Sequence, residues 1–102
     1  MINLAIVEVS VVPLGTGDTS LSKYVAGCQK ILAEEKDIHY QLTPMGSIIE
    51  GELDVIFDII KKLHQLPFNN EAQRVYTNIK IDDRRDKKAT MYQKLESVAS
   101  KL

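Results

Sequence analysis

The segment Arg74–Asp82, "RVYTNIKID", alternates strictly between two kinds of side chain. One face carries Val75, Thr77, Ile79 and Ile81, and the other carries Arg74, Tyr76, Asn78, Lys80 and Asp82. Because successive side chains of a β-strand point to opposite faces of a sheet, this period of two predicts a strand. The strand has one face suited to a core and one polar face.

Three further segments have the properties of strands. Asn3–Val12 is rich in Val and Ile, and we expect it to end at Pro13. One of its faces is wholly apolar, with Ala5, Val7, Val9 and Val11. His39–Thr43 and Gly46–Gly51 flank a Pro-Met-Gly turn, so they predict a hairpin.

Three segments have helical periodicity. Residues 20–35 place apolar side chains at spacings of three and four, and Asp18, Thr19 and Ser20 are candidate N-caps. Residues 53–66 begin with acids and end with bases, which suits a helix dipole, and Pro67 is expected to close this helix. A last helix is predicted over residues 88–102, with Tyr92, Leu95, Ala99 and Leu102 facing inward.

The resulting order is β-α-β-β-α-β followed by a helix, in one domain spanning residues 1–102. This is the ferredoxin-like α+β pattern, a four-stranded antiparallel sheet with helices on one face. The open face then receives Leu4, Ile6, Glu8, Ser10, Gln41, Thr43, Ile48, Glu50, Tyr76, Asn78 and Lys80. This mixture is too apolar to leave in water and too polar for a plain core. We expect a second subunit to cover it, the alternative being a partly solvated sheet without a site.

Composition narrows the class of protein. The chain has 102 residues and a formal net charge of -1, so no basic field points to nucleic acid or to an anionic membrane. No apolar run approaches the roughly 20 residues of a membrane span, and the N-terminus lacks the features of a signal peptide. Cys28 is the single cysteine, which excludes an internal disulfide. These features favour the cytoplasm.

The loop "PLGTGDTS" follows a predicted strand and opens a predicted helix, which is where a phosphate-binding loop would lie. It has neither the G-x-x-x-x-G-K-[ST] order nor the G-x-G-x-x-G spacing. We therefore interpret it as a strand-to-helix turn and as a possible rim of a pocket elsewhere.

Three long segments resemble one known family: "VSVVPLGTGDTSLSKYVA", "YQLTPMGSIIEGELDVIFDIIKKLH" and "RVYTNIKIDDRRDKK". In this order, over nearly the whole chain, they resemble the small thiamine-binding proteins. The resemblance implies a ferredoxin-like fold and a homotetramer, a dimer of dimers built by packing open sheet faces. It also implies binding of thiamine or its hydroxymethylpyrimidine fragment, with no further cofactor and no known catalysis.

Two carboxylates are candidates for contact with such a ligand. On the predicted open face, Glu50 could accept a hydrogen bond from an aminopyrimidine nitrogen or offset the charge of a thiazolium ring. The alternative is a surface glutamate paired with Lys80. Glu8 is a second candidate, and its alternative role is likewise that of a surface glutamate paired with Lys80.

Smaller groups near the strand ends complete the predicted ligand site. Ser10, Thr43 and Ser47 offer hydroxyl groups, whose alternative role is to cap turns. Met45 and Gly46 could let the backbone approach a flat ring, or they could form a plain turn. Ile48 and Tyr76 are predicted to stack on the ring.

No catalytic or metal-binding arrangement is readable. His39 and His64 lack partners at helical spacing, and Cys28 lies on an apolar helix face. The segment "DDRRDKK" predicts salt bridges at a subunit interface, or a solvated loop. The sequence therefore predicts a non-enzymatic thiamine-binding protein, with a structural or regulatory oligomeric module as the alternative.

Overall fold

The structure is a computed structural model that describes residues 4–17, 21–87 and 90–102. Its elements are β1 (Ala5–Leu14), α1 (Ser22–Glu34), β2 (His39–Thr43), β3 (Gly46–Gly51), α2 (Leu53–Asn69), β4 (Arg74–Asp82) and α3 (Met91–Ala99). The four strands form one antiparallel sheet in the order β2-β3-β1-β4. The ferredoxin-like order with an added C-terminal helix is thereby confirmed. The predicted strand start at Asn3, the N-caps at Asp18, Thr19 and Ser20, and the helix start at Lys88 lie outside the described residues.

The core lies between one face of the sheet and the helices α1 and α2. Val7 of β1 and Ile49 of β3 are fully buried, as are Ile56 of α2 and Leu32 of α1. The apolar members of β1 face this core because the strand alternates strictly, so the other half of its side chains point to the opposite face. That opposite face is the predicted open face of the sheet.

The register of the strands brings charged residues together on the open face. Glu8 stands opposite Lys80 across the β1–β4 pair, and their side chains form an ion pair at 3.7 Å. His39 stands opposite Glu50 across the β2–β3 pair. Because β1 lies between β3 and β4, the open face has Glu8 near its middle.

Both prolines that were expected to end an element lie inside one. Strand β1 continues through Pro13 to Leu14, because β3 pairs with it only as far as Val9. Beyond that point β1 has a side without a neighbouring strand, where a missing N–H costs no hydrogen bond. Helix α2 likewise continues through the buried Pro67 to Asn69, which places the proline in its last turn.

Helix α3 is shorter and more exposed than predicted. It starts at Met91, and Tyr92 and Leu95 are 71% and 62% exposed, so the inward orientation predicted for its apolar residues is wrong for the single chain. Its start is fixed by a capping box that the sequence reasoning missed. The Thr90 hydroxyl accepts a bond from the Gln93 N–H at 3.1 Å, and the Gln93 side chain accepts one from the Thr90 N–H at 3.0 Å. The spacing T-x-x-Q was the available signal.

Within the described ranges, no helix has both the length and the apolar character needed to cross a membrane.

Candidate functional site

A cavity of about 610 Å³ lies between the first half of α1 and the sheet, beside the β2–β3 turn; we call it the α1–hairpin cavity. Its aliphatic wall consists of Val9, Val11, Val12, Leu21, Val25, Ala26, Leu42, Pro44, Met45 and Leu63. Its remaining lining residues are Ser10, Ser22, Cys28, Gln29, Thr43, Gly46 and Ser47. No described lining residue is charged. A mostly apolar cavity of this size with a few polar groups is the usual form of a small-molecule site.

The polar centre of the α1–hairpin cavity is a pair of side chains from α1 and β3. The Gln29 amide nitrogen donates a hydrogen bond to the Ser47 hydroxyl at 3.0 Å, and Ser47 is only 7% exposed. Gln29 lies one helical turn after Val25, on the face of α1 that looks toward the sheet. Sequence reasoning missed Gln29, although a polar residue beside Cys28 on a predicted apolar face was a readable signal.

The hairpin turn forms one end of the cavity. The Thr43 hydroxyl donates to the Gly46 carbonyl at 2.9 Å and accepts from the Met45 N–H at 3.2 Å. Thr43 therefore stabilises the turn, which was the alternative reading of its hydroxyl. Gly46 has φ of 154°, and a Cβ there would lie 2.8 Å from the Val9 carbonyl oxygen. The close approach at Gly46 is thus made by the backbone of β1.

The structure divides the predicted ligand residues into two groups. Ser10, Thr43, Met45, Gly46 and Ser47 line the α1–hairpin cavity. Glu8, Ile48, Glu50 and Tyr76 do not line it. Strand alternation places Ile48 and Glu50 on the open face and Ser47 on the helix-covered side. Ser10 and Thr43 also alternate to the open face, and they reach the cavity beside the hairpin turn, where the strands end.

Glu50 is buried, with 4% of its surface exposed, although it lies on the open face. Its carboxylate accepts a hydrogen bond from the Met91 N–H at 2.7 Å. This N–H belongs to the first residue of α3 and has no partner within the helix, so the carboxylate satisfies it and also faces the positive end of the helix dipole. Glu50 therefore fixes the start of α3 over the open face. Lys80, its expected alternative partner, pairs with Glu8 instead.

Replacing Glu50 with alanine should destabilise the protein by about 1 to 2 kcal/mol, since it removes the side-chain acceptor at a helix start. Glu50→Gln is the matched control, because its amide oxygen can still accept from the Met91 N–H. Urea unfolding measures the loss, and hydrogen exchange of the α3 amides shows whether the helix start has loosened. Equal stability and equal α3 protection in Glu50→Ala and the parent would contradict this role.

The segment "DDRRDKK" forms local ion pairs. Arg84 contacts Asp86, and Arg85 contacts Asp83 at 2.8 Å. The hydrogen bond from the Arg84 guanidinium lowers the pKa of the Asp86 carboxyl to about 2. Among residues 4–17, 21–87 and 90–102, no three side chains of His, Cys, Asp or Glu come together as metal ligands.

Cys28 lines the α1–hairpin cavity and is partly buried against the core. Burial raises the pKa of its thiol, because the charged thiolate is disfavoured away from water. The thiol therefore stays protonated at neutral pH and serves as a small apolar group.

Comparison with known proteins places these features in a family. Residues 7–99 match the family model described as thiamine-binding protein. UPF0045 protein YqgV of Bacillus subtilis is 51% identical, over 97% of this chain and 98% of its own length. The crystal structure of protein MJ1052 from Methanocaldococcus jannaschii has a TM-score of 0.85 at 35% identity, covering 96% of this chain and 98% of that one. A Thermotoga maritima protein assigned provisionally to thiamine biosynthesis or salvage shares the fold, with a TM-score of 0.76 at 22% identity over 93% of this chain and 98% of that one. The chain belongs to the thiamine-binding protein family.

Proposed function

We propose that this protein binds thiamine or its hydroxymethylpyrimidine moiety in the α1–hairpin cavity and catalyses no reaction. The observation that carries the proposal is the Gln29–Ser47 pair inside an otherwise aliphatic cavity of about 610 Å³. Family membership supports the class of ligand, and the cavity supports the place where the ligand binds.

The Gln29–Ser47 pair suits an aminopyrimidine. Such a ring presents an amino group, which donates hydrogen bonds, beside a ring nitrogen that accepts one. The Gln29 amide supplies an oxygen that accepts, and the Ser47 hydroxyl has a proton of its own to donate. Val25 and Leu42 are aliphatic and line the same cavity, so a flat ring would bury its faces against side chains of this kind.

The proposed location is on the opposite side of the sheet from the one that the sequence suggested. On the open face, the carboxylate of Glu50 is engaged by the start of α3. The described lining of the cavity is uncharged, so the positive thiazolium ring of thiamine would stay at the mouth, in water. We therefore expect the uncharged hydroxymethylpyrimidine to bind about as tightly as thiamine itself.

The proposal contains no bond-breaking step. The cavity supplies aliphatic surface, one amide and a few hydroxyls, which are groups that hold and orient a ligand. Cys28 keeps its proton because burial raises its pKa, so it adds apolar surface. The role that fits these groups is sequestration or delivery of the ligand.

We further propose that the open sheet face serves self-association into a homotetramer. Tyr76 on β4 is 57% exposed, and Tyr92 and Leu95 of α3 leave further apolar surface in water. Covering this apolar surface with a second copy of the chain would be favourable. The same exposed surface supports a second candidate function, an oligomeric module without a ligand. If the open sheet face serves self-association, light scattering should give the mass of a tetramer. The mass of a monomer, 11.5 kDa, would show that this proposal is wrong.

Calorimetric titration with thiamine and with hydroxymethylpyrimidine tests the binding proposal. Ala26→Phe places a ring in the α1–hairpin cavity and should weaken both ligands at least about tenfold, or 1.4 kcal/mol. Ala33→Phe is the matched control, since Ala33 is another exposed alanine of α1 that does not line the cavity. Absence of heat at millimolar ligand, or equal weakening by both variants, would overturn the proposal.

A further inference from the structure

A second cavity, of about 620 Å³, lies where the β1–α1 loop meets the segment that follows α2. We call it the polar cavity, because its wall includes Thr16, Tyr24, Asn70, Glu71, Gln73 and Arg74. It is distinct from the α1–hairpin cavity, with which it shares no lining residue. Tyr24 lines one cavity and Val25 the other, so the first turns of α1 separate the two.

The polar cavity is lined by one acidic residue, Glu71, and one basic residue, Arg74, which do not form an ion pair with each other. Within the described structure, neither the Glu71 carboxylate nor the Arg74 guanidinium takes part in an ion pair. Elsewhere in the same chain, Arg84 and Arg85 each pair with an aspartate two residues away. Opposite charges that line one cavity without pairing remain available to opposite charges on a ligand.

Glu71 is also held in an unfavourable backbone conformation. Its φ is 74°, the left-handed region, and it is the sole non-glycine residue with positive φ in the described ranges. The cause is the end of α2, where the Ala72 N–H bonds to the Pro67 carbonyl and the Glu71 N–H to the Phe68 carbonyl. This is the Schellman arrangement, whose left-handed position usually carries glycine. A charged residue kept at a strained position in a cavity wall points to a use for the charge.

We propose that the polar cavity binds a small zwitterion that carries one ammonium and one carboxylate group, as free amino acids do. The carboxylate of the ligand pairs with Arg74, whose planar guanidinium matches it with two parallel hydrogen bonds. The ammonium group pairs with Glu71. Tyr24 and Gln73 line the same cavity, and their hydroxyl and amide groups can supply hydrogen bonds to the rest of the ligand.

NMR titration of the protein tests this site with named probes. Glycine, β-alanine and γ-aminobutyrate have the same two charges at increasing separation, and acetate and methylammonium carry one charge each. At least one zwitterion should shift the amide signals of residues 70–74 with a dissociation constant at or below about 1 mM, while the singly charged probes do not. If none of the three zwitterions shifts these signals, the proposal is overturned.

Variants then separate charge from structure. Glu71→Gln and Arg74→Gln should each weaken binding of the zwitterion at least about tenfold, whereas Lys80→Gln, on the same strand as Arg74, should leave it unchanged. Glu71→Gly should raise the melting temperature, because it relieves the strain at φ of 74°, and should still lose binding. An Arg74→Gln variant that binds as tightly as the parent would contradict the assignment. Thiamine binding, in the other cavity, should be unaffected by all four variants.

Discussion

Replacing Gly46 with alanine should destabilise the protein by about 3 kcal/mol, since it combines backbone strain with overpacking. At φ of 154° an L-residue is strained, and the added Cβ would lie 2.8 Å from the Val9 carbonyl oxygen. That oxygen belongs to the central strand β1 and cannot move aside as the end of a flexible side chain could. The hairpin would therefore have to shift away from β1.

Gly15→Ala is the control that isolates the backbone contribution. Gly15 also has positive φ, 74°, but a Cβ there would meet nothing within 4 Å. Its replacement should cost about 1 kcal/mol, from the left-handed conformation alone. Chemical denaturation of the two variants beside the parent gives both values. If Gly46→Ala is no more destabilising than Gly15→Ala, β1 and the hairpin do not approach as closely as described.

Replacing Ile56 with alanine should lower the free energy of unfolding by about 4 kcal/mol, a larger loss than that expected for Gly46→Ala. Ile56 is fully buried on α2, within the same cluster as Val7 and Ile49 of the sheet. Truncation removes its apolar contacts and leaves a space that the close-packed surroundings can fill only in part.

Ile81→Ala is matched to it, because the same atoms are removed from a side chain that is 45% exposed. We expect Ile81→Ala to lower the free energy of unfolding by about 1 kcal/mol, because less of the Ile81 side chain is buried on folding. Urea unfolding, read by circular dichroism, measures both. Equal losses would mean that the core is not centred between α2 and the sheet.

Local periodicity was sufficient to predict the order of the elements and the two faces of each strand. Alternation in Arg74–Asp82 and helical spacing in α1 and α2 depend on neighbouring residues, so they can be read from sequence. The effects of Pro13 and Pro67 were predicted wrongly. A proline destabilises a strand or helix only where a neighbouring carbonyl would otherwise accept a hydrogen bond from its backbone N–H, and the sequence does not show where that is. The apolar residues of α3 indicate that the helix has a face to bury, but periodicity does not say which surface covers it.

The candidate site was predicted only where it is local. Thr43, Met45, Gly46 and Ser47 follow one another in or beside a recognisable turn, and the structure brings them to the wall of one cavity. The partner of Ser47 is Gln29, from a different element. The partner of Glu50 is the Met91 N–H, 41 residues away. Contacts of this kind depend on how the helices lie on the sheet, which spacing in the sequence does not encode.

The proposed function requires that the ligand lie between α1 and the hairpin. A crystal structure of the protein grown with hydroxymethylpyrimidine tests it most directly. We expect density for the ring within the α1–hairpin cavity, with its amino group and ring nitrogen within hydrogen-bond distance of Gln29 and Ser47. Density for the ring on the open face, against Tyr76 or Ile48, would contradict it.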